Sequence, residues 1–224
     1  IRRSAAKALG RRHELAALLA LRTALEDVDP AVRQEALRSM ARLVTVLHKQ
    51  GVPSLASHVE GVLRGLLAKG DKVPAMERLL ALGILARLGD KQLHEQMLAF
   101  KDTHDPEVRR LFIEQLEGHP ELLAAALSDP VAEVRFAAAR KLAELGDGRA
   151  ESVLREFLAK GGAKAVEAYG LLLRLGAQVP SGDALRELFA KIGPAERAAA
   201  VAALGKLSPQ QALPLLWIAA RDPA

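Results

Sequence analysis

The chain has no cysteine at all, so disulfides, thiol nucleophiles and thiolate metal sites are excluded from the start. Aromatic residues are scarce: one Trp, one Tyr and five Phe, 3% of 224 residues. That poverty leaves little material for a base-stacking platform, which needs aromatic side chains interleaved with cations on one surface. Strand-forming residues are sparse as well, which disfavours an all-β or α/β fold. No apolar run approaches the length of a membrane-spanning helix. Like charges form no long block; the densest basic cluster is Arg2, Arg3, Lys7, Arg11 and Arg12.

What is present is alanine and leucine, over a third of the chain together, and a half-apolar composition that rules out general disorder. The formal net charge of +5 is a small excess over 32 basic and 27 acidic residues that are interspersed throughout. Such a surface permits binding to nucleic acid or to an acidic partner without requiring either.

A motif repeats. A turn, often Asp-Pro, leads into Val-Arg and then an Ala/Leu-rich stretch that closes at Leu-Gly. It stands at Asp29-Pro30-Ala31-Val32-Arg33 and at Asp105-Pro106-Glu107-Val108-Arg109, and returns with inserted residues as Asp129-Pro130…Val134-Arg135. Degenerate copies run through Val73-Pro74…Arg78 and Gly193-Pro194…Arg197, and Ala165 fills the arginine position of another. Equivalent positions 2, 33, 78, 109, 135, 165 and 197 are separated by 31, 45, 31, 26, 30 and 32 residues. The long step predicts an extended helix pair running through Leu47 and then from Val52 to Lys69. The short one predicts a clipped second helix after His119-Pro120.

Each copy reads as two helices. Asp is a good N-cap and Pro suits the first helical position, so Asp-Pro marks a helix start. In the fifth copy Val134, Ala138, Leu142 and Leu145 fall on one helical face. Gly146-Asp147-Gly148 ends that helix, and Val153, Leu154, Phe157 and Leu158 line the next, up to Gly161-Gly162. Neither stripe can be buried alone, and stacking the copies makes one shared core.

At these residues the chain resembles the HEAT repeat family, in particular its short bacterial, phycobilisome-lyase-type version. The resemblance implies an all-α, right-handed solenoid of about seven helical hairpins, with first helices on the convex side and second helices on the concave side. It also implies that the turn Asp and the following Arg form a ladder between repeats, making Asp29, Arg33, Asp105, Arg109, Asp129 and Arg135 structural, with gaps around Arg78 and Ala165. Residues 1–224 read as one repeat segment, and because both ends fall inside a repeat, the expectation is an excerpt of a longer, cytoplasmic protein.

Chemistry is harder to find. The sequence holds no Gly-x-Ser-x-Gly, no phosphate-binding Gly-x-x-x-x-Gly-Lys-Ser/Thr and no His-Glu-x-x-His. Gly161-Gly162 with Lys164 reads as a helix connection, and His48, His58, His94 and His104 lack the spacing of a metal-binding helix face. HEAT-like DNA glycosylases are a rival enzyme reading, but their need for aromatics in a basic groove is not met. The expectation is therefore no enzyme, no cofactor and no metal.

The remaining candidate is the surface of the second helices: Glu14 and Arg22; His58, Glu60 and Arg64; His94, Glu95 and Lys101; Glu151, Arg155 and Glu156; Arg186, Glu187 and Lys191. Its signs are nearly balanced, which suits a protein partner better than a phosphate backbone. Arg22, His58, Arg64, His94, Arg155, Arg186 and Lys191 are the expected partner-binding residues. The function expected is protein recognition or scaffolding, serving a protein partner or neighbouring domains of the same chain, with no membrane insertion. Nucleic-acid binding and a lyase- or chaperone-type auxiliary role are the alternatives.

Overall fold

In the computed structural model, residues 1–10, 15–50, 53–90, 93–116, 118–180, 182–204, 213 and 217 are described. Every regular element among them is helical. The chain divides into two compact units, Ile1–Gln115 and Leu116–Ala224.

The first unit contains α1 (Arg2–Leu9), α2 (Leu15–Ala24), α3 (Pro30–Gln50), α4 (Pro53–Leu67), α5 (Ala75–Arg87), α6 (Leu93–Leu98) and α7 (Pro106–Gln115). Helices α1, α3, α5 and α7 pack in series as one layer, while α2, α4 and α6 each pair with a member of it. This is the stacking of hairpins that the repeat predicts. The 45-residue step is taken up by the 21-residue α3 and the 15-residue α4. The core is aliphatic, with Leu37, Met40, Leu43, Leu63, Leu79, Ile84 and Leu85 fully buried.

The second unit contains α8 (Pro120–Ala126), α9 (Ala132–Glu144), α10 (Glu151–Lys160), α11 (Ala163–Arg174), α12 (Gly182–Ala190) and α13 (Pro194–Leu204). The clipped helix after His119-Pro120 is α8, of seven residues. Helices α9, α11 and α13 pack in series, and α10 and α12 pair with them. Val134, Ala138 and Leu142 are buried as the periodicity predicts. Leu145 is not: it is 56% exposed. Its amide still closes the helix, but Gly146 at φ +77° turns the chain left-handed, and the Asp147 amide bonds back to the Leu142 carbonyl. The side chain is carried off the core face by that stop. All five phenylalanines, Phe100, Phe112, Phe136, Phe157 and Phe189, are buried repeat-core residues.

The repeat arginines have a common task. Arg33 Nη1 donates to the Asp27 and Val28 carbonyls at 2.8 and 3.1 Å. Arg109 Nη1 donates to Thr103 and His104 at the same distances, and Arg135 Nη1 to Asp129 and Pro130 at 3.0 and 3.3 Å. Arg197 Nε reaches the Ile192 carbonyl at 3.0 Å. Each guanidinium thus folds back over the turn five or six residues upstream and satisfies carbonyls that the helices cannot.

The turn aspartates also bond backbone amides of their own turns. Asp29 and Asp105 accept the Ala31 and Glu107 amides at 2.9 Å, capping α3 and α7. Asp129 accepts the Val131 amide at 2.8 Å, but its inserted residues shift the helix start to Ala132, so Val131 takes the cap position. In the ladder between repeats that the resemblance implies, Arg33 takes a helix carboxylate of the next hairpin in place of a turn Asp. It crosses to Glu77 on α5, with Nε and Nη2 at 2.9 and 2.8 Å from one carboxylate oxygen. Arg2 makes a similar crossing to Asp27, at 2.8 and 3.2 Å.

Candidate functional site

The two units present their second helices separately. In the first, α2 and α4 border a groove of about 520 Å³. Arg22, His58 and Lys69 line it with Glu26, while Gly61 and Gly65, one turn apart on α4, leave its floor without side chains. The structure thus brings Arg22 and His58 together. Both are exposed, and the groove carries basic groups beside an acid, the mixed pattern read from the sequence.

Arg64 lies further along α4 and is held within the chain. Its guanidinium takes Glu60 one turn back, at 2.8 and 3.0 Å, and Asp90 after α5, at 2.6 Å. These two carboxylates raise its pKa, the Glu60 hydrogen bond contributing most. The side chains of Glu14 and His94 lie outside the described residues. Glu95 is exposed on α6, while Lys101 sits in the turn beyond that helix, 3.5 Å from Asp102.

The second unit repeats the Arg64 arrangement. Arg155 on α10 takes Glu151 one turn back, at 2.7 and 2.9 Å, and the Gln178 carbonyl beyond α11 at 3.1 Å. In both units, then, a second-helix arginine clasps its own helix and the turn of the following hairpin. Glu156 accepts from Arg135 and Lys160, which hold its carboxyl below the usual range, Lys160 more than Arg135. Arg186 and Glu187 are exposed on α12. Lys191 stands in the turn just past that helix, with Nζ 3.8 Å from Glu187.

The connection at Gly161-Gly162 joins α10 to α11, with φ of +77° and +79° that only glycine adopts readily. Lys164 donates to Glu133 at 3.1 Å and lies 5.6–5.7 Å from the Phe136 and Phe157 rings. Tyr169 is buried and donates to the Pro180 carbonyl at 2.9 Å; burial pushes its phenol pKa up. Among the described residues, no three His, Asp or Glu side chains gather as a metal site. No helix among them is long and apolar enough to cross a membrane.

Known families fit this geometry. A HEAT repeat model matches residues 120–148, and a PBS lyase HEAT-like repeat model matches residues 1–27. Over these two segments the chain is similar to HEAT-type repeats. A search of curated proteins gave no significant match. Among solved structures, the chain is similar to one from the complex of CpcE and CpcF of phycocyanin lyase from Nostoc sp. PCC7120. The TM-score is 0.58 at 23% identity, over 99% of this chain and 88% of that one. At that identity the likeness establishes the helical-repeat fold.

One feature of the first unit is absent from the sequence-derived surface. Arg78, in a copy without the Asp-Pro turn, lines a separate cleft with Phe100. The lost Asp-Pro at Val73-Pro74 was its only signal in the sequence.

Proposed function

We propose that this chain is a non-catalytic protein-recognition or scaffolding module that presents its second helices to a protein partner. The observation that carries the reading is the groove between α2 and α4, where exposed Arg22 and His58 stand beside Glu26 over a glycine floor. A surface of mixed sign gives orientation and selectivity against a protein. The repeat arginines, which could have formed a phosphate-reading stripe, are consumed by turn carbonyls instead. The second unit carries the same kind of surface, with Arg155 on α10, Arg186 on α12 and Lys191 in the turn just past it, and Arg64 stands on α4 of the first.

The test uses the chain as bait, with wild type compared against Arg22→Glu, Arg186→Glu and Lys191→Glu combined. These residues are exposed, so reversal leaves the core intact. A protein retained by wild type and released by the variant supports the reading. Equal retention rejects the surface assignment. Binding to duplex DNA that weakens steeply with salt points to the nucleic-acid alternative.

A second reading, an auxiliary subunit of a lyase-type enzyme, is favoured by the PBS lyase HEAT-like match and by the likeness to a chain of a lyase complex. It predicts that the lyase activity of a partner enzyme requires this chain and is lost when the chain is omitted.

A further inference from the structure

In the first unit, a cleft of about 580 Å³ opens between the end of α4, the start of α5 and the turn after α6. Arg78 lines it together with Gln96, Phe100, Thr103, His104 and Asp102. Arg78 is the counterpart of Arg33, Arg109, Arg135 and Arg197, all of which bond their own turn carbonyls. In its copy a short 3-10 helix, Gly70–Lys72, replaces the Asp-Pro turn, and the guanidinium is released from that task.

The released group is incompletely satisfied. Nη1 bonds Asp71 at 2.6 Å, and the plane lies over Phe100, 5.5 Å from the ring centroid. Nε is shielded from solvent and has no acceptor among the described residues. A buried donor without an acceptor is a standing penalty that an incoming acceptor relieves. Asp71 is a weak holder, because its side chain is 95% exposed. An exposed pair of this kind is worth at most a few-fold in an equilibrium constant.

From this arrangement we infer that the cleft is a carboxylate-binding site, filled by an acidic side chain of the protein partner that displaces Asp71 from Arg78. The guanidinium fork matches the two oxygens of a carboxylate. Gln96, Thr103 and His104 supply further polar groups at the wall, and Phe100 gives the guanidinium an apolar backing. The charge count selects a monoanion. Asp102 at the wall is paired with Lys101 at 3.5 Å, so a carboxylate that displaces Asp71 restores the one-to-one charge balance on Arg78, which a phosphate dianion would exceed. The source of the carboxylate rests on the protein-recognition reading, whereas the chemistry of the cleft does not.

The experiment is an NMR titration of the full chain with N-acetyl-aspartate amide, following the Arg78 Nε–H signal and the Phe100 and Thr103 amides. N-acetyl-asparagine amide and inorganic phosphate are the comparison probes. The expected result is a saturable shift with the aspartate probe alone, tightened about threefold to fivefold by Asp71→Asn and lost in Arg78→Gln. Absence of saturation, an equal response to the asparagine probe, or tighter binding of phosphate overturns the inference. So does an unchanged Asp71→Asn titration, a variant whose exposed position keeps the fold intact even if Arg78→Gln does not fold. A silent cleft leaves partner capture on the second helices standing, and failed capture leaves the titration readable.

Discussion

Replacing Arg33 by Met tests how neighbouring hairpins are joined. The guanidinium is the shared partner of the Asp27 and Val28 carbonyls and of Glu77, with side chains 18% and 3% exposed for Arg33 and Glu77. Methionine keeps much of the stem's apolar packing but removes every donor. Two turn carbonyls then lose a bond, and the Glu77 carboxylate is left buried without its cation. Breaking a buried pair from one side costs about 3–5 kcal/mol, a large share of a total stability of about 5–15 kcal/mol. The companion variant Glu77→Leu combined with Arg33→Met removes the stranded charge. It should recover most of the loss, leaving about 1–2 kcal/mol for the two carbonyl bonds. Urea unfolding followed by circular dichroism measures the energies, and amide exchange across α3 and α5 locates them. A cost below about 1 kcal/mol for Arg33→Met, or a double variant no better than the single, refutes the assignment of this arginine as an inter-repeat staple.

Other positions give sharper local outcomes. Gly10→Ala places a Cβ 2.7 Å from Ser39 Cβ and Oγ, where α1 meets α3, so overpacking of about 1–3 kcal/mol is expected in thermal melts. Gly146→Ala meets no neighbour among the described residues but forces φ +77° on a residue with a Cβ, and should cost about 1–2 kcal/mol. The carboxyls of Asp27 and Asp147 lie below their ordinary values, through the Asp29 amide and then Arg2 for the first, and chiefly Arg149 for the second. Their stabilising contribution is full above the unfolded value of 3.8 and is lost as pH falls through the lower folded values. Melting temperature should therefore drop across that acidic window, and less so in Asp27→Asn; an equal drop contradicts the assignment.

Much of the fold was legible because helix starts depend on local chemistry. Asp29-Pro30 and Asp105-Pro106 announced their caps, and the repeat steps announced both the long α3–α4 pair and the clipped α8. Leu145 was misplaced because helical spacing says nothing about where a left-handed glycine stops the helix. The destination of Arg33 was hidden for another reason: Glu77 lies 44 residues away, and only packing brings it near. The same holds for Arg64 and Arg155. Their exposure was readable from the second-helix pattern, whereas the clasps to Asp90 and Gln178 required the fold. Arg78 was visible only as a flaw in the repeat, and its cleft emerged with the third dimension.

The most direct measurement of the central claim is a hydrogen–deuterium exchange footprint of the chain bound to its captured partner. Protection concentrated on α2, α4, α10 and α12 is the predicted result. Protection confined to α3 and α5, or to α9 and α11, with the second helices unchanged, contradicts it.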